Sequence, residues 1–269
     1  MRVRDALAAA RAAGLARLDA QRLLSHHLAR PREWLIAHDD ESLAADTAAA
    51  FAADVQRRAA GVPLAYLVGE REFHGLALAV SPVVLVPRPE TEGLVDWALE
   101  HAAPGATVVD LGTGSGAIAL ALAHARPDLR VTATDASTEA LAVARANAQR
   151  LALAVEFVEG DWWGPLAGRR FDLAVSNPPY IAGDDGHLAA LVHEPRRALT
   201  PEGDGLAALR ALVAGAAAHL TAGGWLLMEH GFDQGPAVQA LLQAARFQAV
   251  ETRRDLAGLP RCTGGRAPG

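Results

Sequence analysis

Asn177-Pro178-Pro179-Tyr180 is the stretch of this chain best suited to gripping a planar NH2 group. It follows the apolar run Phe171–Ser176, which reads as a buried parallel strand. Proline has no N–H to give, so two prolines end the ladder and leave carbonyls unpaired on a stiffened backbone. Asn177 adds a side-chain acceptor and a side-chain donor. It does so at the strand's carboxyl end, the edge at which open α/β sheets bind ligands. Tyr180 adds an aromatic face. Amide nitrogens and exocyclic amines both fit such a site. In isolation a Pro-rich turn with a capping Asn would look the same.

A second motif narrows the reading. The apolar strand Thr107–Leu111 runs into Gly112-Thr113-Gly114-Ser115-Gly116, and a strong helix former, Ala117–Ala123, follows. Strand, glycine turn and helix form the first βα unit of a nucleotide-binding sheet. Glycines let backbone approach a ligand without Cβ clashes. The pattern is G-x-G-x-G and implies no phosphate cradle. A P-loop is excluded because all 25 basic residues are arginine. Asp135 ends the next strand, Arg130–Thr134, about 20 residues past the glycines, where an acid accepts from ribose hydroxyls. A charge at a helix N-terminus is the alternative to that ribose role, which the glycine turn upstream favours.

With these motifs the chain resembles the bacterial peptide chain release factor N5-glutamine methyltransferases, which use S-adenosylmethionine. The likeness extends through Tyr66–Gly69, Glu72–Leu76, Val86-Pro87-Arg88-Pro89-Glu90-Thr91-Glu92, Glu194-Pro195, Ala198-Leu199, Gly205-Leu206 and Arg210. It continues at Glu229-His230-Gly231, Gln234, Asp255, Gly258, Arg261 and Arg266. It departs at Cys262 and over residues 182–187. The resemblance implies an α/β fold: a Rossmann-like seven-stranded methyltransferase sheet, a small N-terminal all-helical domain and a β-hairpin linker. It implies that Gly112, Thr113, Gly114, Ser115, Gly116, Asp135, Trp162 and Asn177 hold the cofactor. Trp162 reads equally as a wall beside the adenine or as packed core. Asn177, Pro178 and Tyr180 are the implied catalytic residues, with Pro179 and Arg88 also facing the substrate.

The implied substrate is the glutamine of the Gly-Gly-Gln motif in class I peptide chain release factors. An amide nitrogen is a poor nucleophile, so what the site must supply is alignment. The Asn177 side-chain oxygen and the Pro178 carbonyl would accept the two N–H protons, with Tyr180 flanking the amide plane. Both acceptors are neutral, so proton loss can follow transfer. An adenine or cytosine amino-methyltransferase would share Asn-Pro-Pro-Tyr, its base flipped or single-stranded. A relative that methylates a glutamine of a ribosomal protein would share the catalytic edge, and a module that only binds the cofactor is a third possibility.

Composition and patterning bound the rest. Residues 1–72 balance ten Arg against ten Asp plus Glu, so the net charge of −6 arises beyond them. No basic run is present, which argues against direct nucleic-acid binding. One cysteine excludes an internal disulfide and suits a reducing cytoplasm. No apolar run is long enough to cross a membrane. No metal is expected: His26-His27 point to different helix faces, and His187 and His193 lack an H-E-x-x-H frame. No G-x-S-x-G elbow is present. A monomer is expected. Leu7, Leu15, Leu18 and Leu23-Leu24 recur at helical spacing, with Trp34 and Phe51 as core residues. Residues 1–72 are expected to form a helical recognition domain and 73–87 a hairpin linker turning at Ser81-Pro82. The methyltransferase domain spans 88–269. Strands are expected near 107–111, 130–134, 155–159, 171–176 and 224–229, with a final antiparallel pair from 247.

Overall fold

The computed structural model describes residues 1–269, which divide into two units, Met1–Glu70 and Arg71–Gly269. The first holds five helices: α1 (Val3–Ala12), α2 (Arg17–Leu28), α3 (Arg32–Ala37), α4 (Ala45–Ala59) and α5 (Leu64–Val68). Leu23, Leu24, Leu35 and Phe51 fill its core together with Val3 and Ala6. Trp34, expected in the core, packs against it only partly buried, and Leu18 of the helical repeat stands outside it. Leu18 is 47% exposed in the first turn of α2. Trp34 stacks on His38 at 4.4 Å between ring centroids.

From the last residue of the first unit the chain enters a hairpin of β1 (Glu70–Phe73) and β2 (Leu76–Ala79). Its turn is His74-Gly75 and not Ser81-Pro82. Both turn residues have positive φ, 49° and 78°, as tight hairpins require. Ser81 instead closes a later turn, accepting from Val84 N. The remaining elements are α6 (Glu92–His101), β3 (Thr107–Leu111), α7 (Ala117–Ala125), β4 (Arg130–Asp135), α8 (Thr138–Leu151), β5 (Glu156–Glu159) and β6 (Phe171–Ser176). They are followed by α9 (Ala207–His219), β7 (Leu220–Glu229), α10 (Gly235–Ala244), β8 (Gln248–Arg254) and β9 (Pro260–Arg266).

The sheet is seven-stranded, in the order β5-β4-β3-β6-β7-β9-β8. The run from β5 to β7 is parallel, and β9 and β8 add an antiparallel edge. Buried strands covered on both faces explain the apolar runs. Val108, Val131 and Leu173 share a cluster with α6, α7 and the hairpin. Val109, Ala174 and Leu226 face α9 and α10. The chain passes from β3 to β4 and β5 on one side, then returns to β6 and β7 on the other. The reversal lies between β3 and β6, and ligands bind at the carboxyl ends of strands at such a point. No helix is long and apolar enough to cross a membrane.

Candidate active site

The glycine turn and the Asn-Pro-Pro-Tyr segment leave the sheet side by side, from β3 and β6. Asp110 pairs with Val175, and Ser176 Oγ donates to the Leu111 carbonyl at 2.6 Å, tying the two strand ends. Gly112, Gly114 and Gly116 all have left-handed φ, 78°, 57° and 87°, which is why glycine recurs at alternate positions. The Gly112 and Thr113 amides both donate to the Thr134 carbonyl at 2.9 Å. A Cβ on Gly112 would lie 3.1 Å from the Trp162 ring, and one on Gly116 would lie 2.9 Å from Leu120 Cδ1.

A cavity of about 290 Å³ opens above this turn. It is bordered by Gly112, Thr113, Gly114, Ser115, Asp135, Trp162, Asn177, Pro179 and Arg88. Gly116 is absent from its wall; it starts α7 behind the turn. Asp135 accepts from Gly114 N and from Ser137 N, both at 2.8 Å. Each carboxylate oxygen has a second lone pair, so both can still accept from hydroxyls in the cavity. Trp162 packs on the core and borders the cavity at once. A flat aromatic wall, an acceptor-only carboxylate and a glycine turn free of side chains fit a nucleoside with a short polar tail, the shape of S-adenosylmethionine.

A second cavity, about 390 Å³, shares Leu85, Arg88, Asn177 and Ala198 with the first. Pro178, Tyr180, Glu229 and Arg261 border it. Of these two cavities, Pro179 borders the first alone. Asn177 is therefore common to both, half-buried between them. Its Nδ2 donates to Thr91 Oγ1 at 3.0 Å, which leaves Oδ1 without a protein partner. The Pro178 carbonyl also receives no hydrogen bond. Thr91 Oγ1 donates to Glu229 Oε2 at 2.6 Å, and Tyr180 Oη donates to Glu229 Oε1 at 3.1 Å. Gln234 Nε2 holds the Tyr180 carbonyl at 2.8 Å. Arg88 is engaged with the buried carboxylate of Glu194, which also accepts from Val86 N at 3.1 Å.

Burial dominates the electrostatics. It holds the Glu229 carboxyl above the ordinary range, opposed by hydrogen bonds from Thr91 and Tyr180 and by the charge of Arg261. It also raises the Tyr180 phenol, with Glu229 adding to the effect. Beneath the glycine turn, burial raises Asp110 to about 7. One Asp110 oxygen accepts from Thr113 Oγ1 at 2.6 Å and Ala119 N at 3.2 Å, and the other has no partner.

Sequence reasoning assigned no role to four of these residues. Thr91, Glu194 and Glu229 lie in matched segments, but no spacing rule connects residues 138 apart. Asn147 carries no motif at all. It is fully buried on α8, accepts from Ala79 N at 2.8 Å, and donates to the carbonyls of Ala79 and Ser115 at 3.0 Å. It thereby clamps the hairpin to the glycine turn.

Residues 94–207 match a model described as a methyltransferase small domain. Residues 2–69 match one described as the PrmC N-terminal domain. The release factor glutamine methyltransferase of Bordetella pertussis is 52% identical over 259 residues, covering 94% of this chain and 95% of that protein. The enzyme of the same name from Xylella fastidiosa is 52% identical over 270 residues, covering 98% of each. A solved methyltransferase from Pyrococcus furiosus, 20% identical, superposes with a TM-score of 0.56 over 72% of this chain and 90% of its own, a likeness of fold.

Proposed function

This chain belongs to the release factor glutamine methyltransferase family, and from that premise we propose a specific reaction for it. It methylates the side-chain amide nitrogen (N5) of the glutamine in the Gly-Gly-Gln motif of class I peptide chain release factors. S-adenosylmethionine supplies the methyl group as an activated sulfonium when bound. The observation that carries the reading is that Asn177 borders two adjoining cavities with its Oδ1 free. One cavity has the chemistry for a nucleoside, and the other is lined by the rest of the motif.

In this reading Gly112, Thr113, Gly114 and Ser115 form the floor under the donor, Asp135 accepts from ribose hydroxyls, and Trp162 walls the adenine. Gly116 serves by starting the helix. Asn177 Oδ1 and the Pro178 carbonyl accept the two N–H protons of the glutamine, holding its nitrogen in line with the donor. Orientation of this kind can be worth roughly 7–11 kcal/mol. Both acceptors are neutral, so the proton passes to solvent once the nitrogen has gained positive charge, and S-adenosylhomocysteine remains as the other product. Tyr180, tied to Glu229, flanks the amide plane. Arg88, braced by Glu194, offers its remaining donors to the backbone beside the glutamine. Pro179 stiffens the donor-side wall.

Residues 1–72 recognise the body of the release factor, 73–87 connect, and 88–269 carry the chemistry. The protein acts as a monomer in this reading. It works in the cytoplasm without binding nucleic acid directly, in keeping with its charge of −6. The test is incubation with labelled methyl donor and a purified release factor, ribosomal proteins and DNA. Label on the release factor supports the reading; label on either of the others refutes it.

A further inference from the structure

We propose that Glu229, acting through Thr91, sets which way round the side-chain amide of Asn177 faces the acceptor. The proposal rests on the reading above for the identity of the acceptor, and on hydrogen-bond geometry for the rest. An Asn amide has two ends of nearly equal shape, and a flip exchanges acceptor for donor. Flipped, Asn177 would point N–H groups at the NH2 it must hold. Thr91 Oγ1, 3.0 Å from Nδ2, cannot decide the matter alone, because a hydroxyl both donates and accepts. Its proton is committed elsewhere, to Glu229 Oε2 at 2.6 Å. An ionised carboxylate only accepts. Thr91 must therefore donate to Glu229 and turn its lone pairs to Asn177, so Asn177 must present Nδ2 there and Oδ1 to the acceptor. The other carboxylate oxygen holds the Tyr180 hydroxyl at 3.1 Å. One buried acid thus orients two members of the motif.

Glu229 is 1% exposed at the end of β7 and makes no ion pair within 4.0 Å. The charged and titratable groups facing it are Arg261, which favours ionisation, Glu90, which opposes it, and Tyr180 and Cys262, whose ionisation it suppresses. Burial holds its carboxyl above the ordinary range. Once protonated, Glu229 can donate to Thr91. The Thr91 proton is then free to turn to Asn177, and both amide orientations become available. Turnover should therefore fall as pH falls through the raised Glu229 titration.

The experiment compares wild type, Thr91→Val, Thr91→Ser and Glu229→Gln. It measures kcat and KM on a release factor across pH, S-adenosylhomocysteine affinity by calorimetry, and melting temperature. Thr91→Val should lower kcat roughly ten- to a hundredfold, the scale of a misdirected buried hydrogen bond, with cofactor affinity unchanged. Thr91→Ser should restore most of the rate. Glu229→Gln should lose the acidic limb of the kcat profile without melting earlier. Undiminished kcat in Thr91→Val, or a wild-type pH profile in Glu229→Gln, overturns the proposal. If one variant fails to fold, the other decides. Wild-type protein that fails to label the release factor would overturn the functional reading and this proposal with it. Wild-type labelling with an unaffected Thr91→Val overturns this proposal alone.

Discussion

Replacing Asp135 by alanine should separate cofactor binding from catalysis. In the structure the carboxylate already accepts from Gly114 N and Ser137 N at 2.8 Å, one on each oxygen, and faces the first cavity with its remaining lone pairs. Two losses should follow. The ligand-free protein loses two charge-assisted bonds that shape the turn; water in the cavity can partly replace them, so the net cost should be about 2 kcal/mol. For a unit of this size that lowers melting by roughly 4–8 °C. The cofactor loses its ribose acceptor, worth about 1.5–3 kcal/mol, or roughly ten- to over a hundredfold in affinity. Calorimetry with S-adenosylhomocysteine measures the second loss without turnover, and a melting curve measures the first. At saturating donor kcat should change little, because Asp135 lies away from the acceptor cavity. Unchanged affinity would remove Asp135 from the site. A kcat loss as large as the affinity loss would mean that it acts on the reacting atoms.

Asn177→Ala should abolish methyl transfer while calorimetry still finds cofactor binding largely intact, because the glycine turn and Asp135 remain. Near-normal turnover would refute its role as the alignment residue. A chain beginning at Arg71, which keeps the hairpin strand clamped by Asn147, should bind cofactor yet lose most activity on an intact release factor. On a short Gly-Gly-Gln peptide both proteins should be similarly poor, since one loop offers little area for affinity. Full activity on the whole factor would end the recognition role of residues 1–72. Asp110→Asn should flatten the dependence of stability on pH, followed by denaturant melts. The folded carboxyl is raised to about 7, so wild type binds a proton more tightly when folded and loses stability as pH rises from the ordinary carboxylate range toward 7. That loss is at most about 4 kcal/mol. Identical slopes for the two proteins would show that Asp110 is not the titrating group.

The parts of this molecule that sequence made legible are those governed by local rules. Alternate glycines at 112, 114 and 116 announce a glycine turn between a strand and a helix, and the structure has it, with positive φ at all three. The apolar runs at 107–111 and 171–176 read as buried strands because both sheet faces are covered. What stayed hidden depends on residues meeting across long separations. The hairpin turn was expected at Ser81-Pro82 because proline is a strong turn signal. The dipeptide His74-Gly75 took the turn because its residues adopt positive φ, and a histidine there gives little warning. Leu18 fits a helical repeat but falls on the outer side of α2. Asn177, Thr91 and Glu229 come from three distant segments. Only the folded sheet shows that they form one chain of bonds.

Methylation of a glutamine amide is the reaction assigned to this site. It is tested most directly by incubating the protein with S-adenosylmethionine and a purified class I release factor, then sequencing the factor's peptides by mass spectrometry. The expected result is a single added methyl group on the side-chain nitrogen of the Gly-Gly-Gln glutamine, present with wild type and absent with Asn177→Ala. A methyl group on any other residue, or an unmodified release factor beside a labelled ribosomal protein or DNA, would contradict it.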